Sequence, residues 1–356
     1  MLIPLINAVP ALQTSFLGSD AQKAVDDLLH EGESLNTLIS YRSALRYWAA
    51  WHALRYGCPL QLPMPVASVL QFIVDHAERM TPKGLASELP VPVDLALVSA
   101  GYKGKPGPLA HSTLMHRIAV LSKTHQLRQA ANPCHDLQVK ELLIRIRKAY
   151  AKRGMVLNKK EALTKDPLNA LLDTCDDSLR GKRDRALLLF AWASGGRRRS
   201  EVANADMKFL KSVKGGFIYT LVHSKTNQTG MDRPENEKPV LGTAAAAMKA
   251  WLDAAGIVEG PIFRQVRKGG QIGSTLAAAA VRDIVKFRCK LAGITGNFSA
   301  HSLRAGFVTE AGRQNMPLAE TMAMTGHQSV TTVLGYSRAG ASVASKVALL
   351  FEDKAI

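Results

Sequence analysis

Acidic side chains are scarce in this chain. Twenty-nine aspartates and glutamates stand against 46 lysines and arginines, leaving a formal net charge of +17 and a pI near 9.8. So large an excess implies a polyanionic partner, because lysine and arginine bind phosphates with release of counterions. Charge alone would equally suit a ribosomal or membrane-surface protein. Cysteine is also rare: Cys58, Cys134, Cys175 and Cys289 are far apart, with no CxxC and no histidine at metal-ligand spacing. That excludes a disulfide framework or a zinc site and suggests a reducing, cytoplasmic setting. No apolar run is long enough to span a bilayer. The start, MLIPLINAVPALQTSFLG, is broken by Pro4 and Pro10 and has no basic lead, so an arm is expected rather than a signal peptide. A Walker glycine loop and a magnesium-type carboxylate cluster are missing too, and neither ATP, a metal nor any other cofactor is expected. The 47% hydrophobic content excludes a disordered basic tail, and 356 residues suggest two domains.

What is present is concentrated near the C-terminal end. His301-Ser-Leu-Arg304 is followed by Gly326-His327, and Tyr336 comes nine residues after that histidine. Two imidazoles, a guanidinium and a phenol in one short segment of a basic protein suit covalent attack on a phosphodiester. The segment HSLRAGFVTEAGRQNMPLAETMAMTGHQSVTTVLGY resembles the C-terminal signature of the tyrosine recombinases, the phage integrase family.

The resemblance implies a second arginine and a lysine upstream. Residues 183–201, RDRALLLFAWASGGRRRSE, are similar to the family's first arginine box: an apolar helix, a small-residue turn, then Gly-x-Arg-x-Ser-Glu. Counting back from Ser200-Glu201 selects Arg198, with Arg197 and Arg199 as fallback registers. Residues 215–230, GGFIYTLVHSKTNQTG, read as a glycine turn, a β-rich strand and a polar turn, similar to the family's lysine hairpin, with Lys225 as the match.

The chemistry explains why these residue types belong together. Phosphoryl transfer asks the protein mainly to position groups and stabilise charge. Arg198 and Arg304 can grip the non-bridging oxygens bidentately and never lose their charge. Tyr336, with an ordinary pKa near 10, becomes a usable nucleophile beside cations or a base. His301 is expected to take its proton or to donate in the transition state. A lysine can protonate the leaving 5′ oxygen, which is the role the resemblance implies for Lys225. His327 would add a hydrogen bond to the scissile phosphate, and Glu201 would hold an arginine or imidazole in place.

Upstream, the pattern is helical. An arm over residues 1–33 precedes a helical domain at 34–154. Ser34 is a reasonable N-cap for a first helix ending at Gly57; further helices are expected over 65–80, from Ser112, and over about 136–153. The proline- and glycine-rich stretch 81–110 is expected to be a long loop with at most a short helix near LASEL, and no strand is expected in this domain. Residues 155–166 are expected to be a linker and 167–356 a catalytic domain. YRSALRYWAAWHALRYG and HSTLMHRIAVLSKTHQ resemble DNA-binding helices of Cre-like recombinases. Arg42, Arg46, Lys123, Arg145, Lys148, Lys152 and Arg153 are the candidate DNA contacts, the last four from a basic run at 140–160.

The expected fold is mainly α with a small β-sheet: a helical core-binding domain and a mixed α/β catalytic domain that clamp DNA. Beyond the tyrosine, SRAGASVASKVALLFEDKAI reads as an apolar helix, about 341–353, that in this family docks on a neighbouring protomer. The resemblance therefore implies a dimer per inverted-repeat site and a homotetramer on double-stranded DNA, mostly monomeric when free, without membrane contact. It also implies a cytoplasmic, nucleoid-associated protein of bacterial, phage or plasmid origin. A type IB topoisomerase shares the same constellation, and a DNA-binding regulator that kept the fold without the chemistry is the alternative from another class.

Overall fold

The computed structural model describes residues 34–155, 160–222 and 236–341, and omits the side chains of 336–341. The chain divides into two units, Met1–Leu157 and Asn158–Ile356, each with its own apolar core.

Among its described residues the first unit opens on α1, Leu35–Tyr56. It starts where it does because Ser34 Oγ accepts the Thr37 amide at 3.2 Å, and it stops at Gly57, which takes the left-handed conformation that glycine tolerates. Its inner face buries Tyr47, Trp48 and Trp51. Trp48 stacks on Phe72 of α2 (Val66–His76) at 3.5 Å between ring centroids, and Trp51 meets the same ring edge-on. The carboxylate of Asp75 is buried against them and is satisfied by Trp51 Nε1 at 2.9 Å, Arg55 Nε at 2.9 Å and Gln71 Nε2 at 2.7 Å. Next to it, His76 Nδ1 donates to the Phe72 carbonyl and Nε2 accepts from the Tyr47 hydroxyl, both at 2.7 Å. Burial holds this imidazole at a pKa of about 4.

The proline- and glycine-rich stretch departs from the expected loop. Arg79–Thr81 (β1) pairs antiparallel with Gly84–Ala86 (β2), so a short hairpin occupies this region and includes the start of the LASEL segment. The helix here is instead α3, Val91–Ser99. Pro90 and Pro92 sit at its beginning, where a missing amide costs nothing and the fixed φ suits the first turn. Two further helices follow among the described residues, α4 (His111–Leu127) and α5 (Leu137–Lys152), the latter capped by Asp136.

In the second unit, the stretch expected to be a linker is divided. Residues 156–159 lie outside the described ones, whereas from Glu161 onward the backbone is bonded into the catalytic half: Glu161 N donates to Asn297 O and Leu163 N to Ser302 O at 2.9 Å. Leu163 is fully buried, and α6 begins at Lys165 (Lys165–Asp173). The centre is α7, Leu179–Ala193, whose Leu187 and Phe190 are inaccessible to solvent. A turn leads into the short α8 (Arg199–Ala203), and then β3 (Leu210–Val213), β4 (Gly216–Thr220) and β5 (Glu237–Leu241) form an antiparallel sheet in the order β3-β4-β5. Lys225 falls between β4 and β5, outside the described residues. The remaining named elements among the described residues are helices: α9 (Gly242–Ala255), α10 (Ala278–Leu291), α11 (Ala300–Arg313), α12 (Leu318–Thr325) and α13 (Val330–Ala341). Most of the expected tail helix at 341–353 lies outside the described residues.

Candidate active site

Glycine brings the first arginine box into contact with the second. Gly195 and Gly196 follow α7 with φ of 96° and 69°, a region other residues rarely adopt. A Cβ on Gly196 would lie 2.3 Å from Arg304 Cα, and one on Gly195 would lie 2.2 Å from the Met324 carbonyl oxygen. Only a residue without a side chain lets this turn nest between α11 and the end of α12.

The three consecutive arginines then diverge. Arg197 is buried, its Nη2 donating to Met324 O at 2.7 Å. Arg198 is part-exposed and serves as the N-cap of α8, its Nη1 bonded to Glu201 Oε1 at 2.7 Å while its amide donates to Oε2. Arg199 is exposed. Glu201 is itself buried and lies 3.7 Å from Arg197 Nη1, so one carboxylate orients both neighbouring guanidinia.

Helix α11 carries the next pair. Ser299 caps it, accepting the His301 amide, which sets His301 on the first turn. His301 is exposed and Arg304, one turn later, is 4% exposed. Arg304 donates through Nη1 to Gly196 O at 3.2 Å, through Nη2 to Thr325 O at 2.7 Å and through Nε to His327 Nε2 at 3.2 Å. Because a guanidinium only donates, His327 Nε2 carries the lone pair and Nδ1 the proton. Nδ1 therefore donates to Thr325 Oγ1 at 2.7 Å, and that hydroxyl donates on to Thr321 O at 2.8 Å. Burial, and then the fields of Arg304, Arg198 and Arg197, lower the His327 pKa to about 4. The imidazole is thus neutral at pH 7, and three arginines converge on it. To donate from Nε2 to a phosphate oxygen it must carry a proton there, through a tautomer shift or through protonation, and an anion beside it favours the protonated form.

Tyr336 belongs to α13, which packs on α11 and buries Val333 one turn earlier. Its side chain and Lys225 lie outside the described residues. The structure therefore gathers Arg198, Glu201, Arg304 and His327, sets His301 on the turn preceding Arg304, and carries Tyr336 on a helix against that same α11. Sequence reasoning missed Thr325, Arg197 as a buried anchor, and Lys238, whose Nζ donates to Ala323 O at 2.6 Å. None of these has a spacing signal.

Of the DNA-contact candidates in the first unit, Arg42, Arg46, Arg145, Lys148 and Lys152 are exposed and Lys123 is half-buried. Arg145 pairs with Glu141, and Arg46 lies over the Tyr102 ring. Arg153 is tied down inside the unit: it donates to Glu78 O at 3.0 Å and lies over the Tyr150 ring. Among the described residues no group of three or more histidines, cysteines or carboxylates is placed to hold a metal ion, and no helix is long and apolar enough to cross a membrane.

Comparisons with known proteins bear on the family and the fold. The chain is 31% identical over 242 residues to an integrase/recombinase xerD homolog of Selenomonas ruminantium, covering 64% of this chain and 69% of that protein. Among solved structures, the Tn1549 transposon integrase in complex with transposon right end DNA matches with a TM-score of 0.54, covering 92% of this chain and 98% of that one at 13% identity. A lambda integrase dimer bound to a COC′ core site matches with a TM-score of 0.51, over 89% and 75% of the two chains at 15% identity. At these identities the likeness to solved structures is one of fold. The description of the phage integrase family matches residues 161–342, the stretch that holds every candidate catalytic residue. The chain belongs to the phage integrase family, the tyrosine site-specific recombinases that break and rejoin DNA.

Proposed function

We propose that this chain cleaves and rejoins DNA at inverted-repeat sites with Tyr336 as the nucleophile. The Tyr336 oxygen attacks the scissile phosphorus and gives up its proton to His301. The bond from phosphorus to the 5′ oxygen breaks, Lys225 protonates that oxygen, and a 3′-phosphotyrosine and a free 5′-hydroxyl remain. The 5′-hydroxyl of a partner strand then attacks the phosphotyrosine and restores the tyrosine, so the bond energy is conserved without ATP. Arg198 and Arg304 hold the two non-bridging oxygens, and His327 adds a third donor. The observation that carries this reading is the nesting of Gly196 against Arg304, which sets two arginine boxes around one neutral imidazole.

In the proposed assembly both units bind the duplex, with Arg42, Arg46, Lys123, Arg145, Lys148 and Lys152 toward phosphates. Two protomers load per site and four per synapse, linked by the segment after Tyr336. Two solved relatives, a lambda integrase dimer on a core site and XerH recombinase bound to palindromic difH substrate in a post-cleavage complex, support this reading. The test is to select genomic fragments bound by the intact protein and seek an inverted repeat with a short central spacer. A nicked duplex of that site should yield covalent protein–DNA adduct and, in sedimentation, dimers per site and tetramers per synapse. Relaxation of any supercoiled plasmid without site preference would favour the topoisomerase activity instead.

A further inference from the structure

The end of α12 is held in an unusual way. A helix leaves its last carbonyls without intrahelical partners. Here three consecutive ones, those of Ala323, Met324 and Thr325, are each taken by a buried cation from a different element. Lys238 Nζ of β5 donates to Ala323 O at 2.6 Å, Arg197 Nη2 of the turn before α8 to Met324 O at 2.7 Å, and Arg304 Nη2 of α11 to Thr325 O at 2.7 Å. All three side chains are at most 4% exposed.

Positive charge suits a helix C-terminus, but removing a lysine from water is costly, and an apolar residue would fill the same strand position. Lys238 faces Tyr219 across the sheet, at the foot of the connection that carries Lys225. The residues immediately after the three carbonyls are Gly326 and His327. The three contacts thus fasten the sheet, the arginine turn and α11 to one point, two residues from an imidazole of the site.

We infer that Lys238 and Arg197 are positioning residues for strand cleavage, fixing the end of α12 so that His327 and Arg304 meet the scissile phosphate in register. This rests on the cleavage reading above. Lys238 need not touch DNA. Its removal frees one carbonyl of the helix end and lets His327 drift, and a displacement of about 1 Å in a catalytic group costs on the order of 10²-fold in rate.

The experiment is a double-mutant cycle read as the single-turnover rate of adduct formation on the nicked duplex selected above. Lys238→Met is expected to slow adduct formation on the order of 10²-fold while DNA affinity is unchanged. In a His327→Ala background the same substitution should cost little, because the group it positions is already gone. Lys238→Arg, which keeps a donor on a long stem, should recover most of the rate. If Lys238→Met does not fold, Lys238→Gln, with a shorter neutral donor, takes its place in the cycle. Variants as fast as wild type, or equal losses in both backgrounds, overturn the proposal. Wild-type protein that makes no adduct on its selected site overturns the cleavage reading itself.

Discussion

Replacing Gly196 by alanine isolates the contact on which the site is built. The added Cβ would stand 2.3 Å from Arg304 Cα, more than an ångström inside ordinary contact, and the backbone fixes both positions, so no side-chain rotation relieves the clash. The substitution also carries the left-handed penalty of about 1–2 kcal/mol that any L side chain meets at a φ of 69°. Gly256→Ala provides the control: its φ is 61° and a Cβ there meets nothing within 4 Å, so it carries the backbone strain without the collision. Both variants should lose a similar amount of thermal stability from strain. Only Gly196→Ala should push Arg304 outward by about 1 Å, which predicts a loss on the order of 10²-fold in the rate of adduct formation. That is the size seen when one charge-stabilising donor is removed from an active site, about 10²- to 10³-fold. The assay is single-turnover cleavage of the nicked site, with DNA affinity measured alongside. Gly196→Ala cleaving as fast as Gly256→Ala would refute the argument that this close approach positions Arg304.

Other predictions concern protons and the leaving group. If Lys225 protonates the 5′ oxygen, a 5′-bridging phosphorothioate, whose sulfur leaves without a proton, should restore cleavage to Lys225→Ala but not to Arg304→Ala; equal failure of both moves Lys225 to a binding role. His327 is neutral in the free protein, with a pKa near 4, and a phosphate beside it should raise that value. Titrations with DNA near pH 6 in buffers of different ionisation enthalpy should therefore show proton uptake by wild type that is reduced in His327→Gln, and equal uptake in both argues against this protonation. Buried His76 also has a folded pKa of about 4, below the value of about 6.5 expected when unfolded, so its protonation opposes folding. Stability is complete above about pH 6.5 and is lost as the pH falls toward 4, by an amount on the order of 3 kcal/mol. Urea midpoints of the N-terminal unit should fall less steeply over that window in His76→Gln, and parallel curves would contradict the assignment.

How much of this was legible in the sequence depends on the kind of signal. The ends of α1 were, because Ser34 and Gly57 are local capping chemistry, and the family was, because His301, Arg304, His327 and Tyr336 keep a specific spacing. The Arg198 register came from counting to Glu201, the residue that binds its guanidinium. The hairpin at Arg79–Ala86 and helix α3 were not legible: their prolines read as breakers, although proline in a first helical turn starts a helix as readily as it ends one. The different fates of Arg197 and Arg199 depend on which side of the turn packs against Met324, a tertiary fact with no local trace. Lys238 was invisible for the same reason. A lone lysine in a strand reads as solvent-facing until α12 is seen to end beside it.

The central claim is that Tyr336 becomes covalently joined to DNA. It is tested most directly by trapping the adduct on the nicked site, digesting the protein and mapping the DNA-bearing peptide by mass spectrometry. The account predicts a single modified residue, Tyr336, with a 3′-phosphate linkage, and no adduct from Tyr336→Phe although that variant still binds the site. Adduct on another side chain, or adduct that persists in Tyr336→Phe, would contradict it.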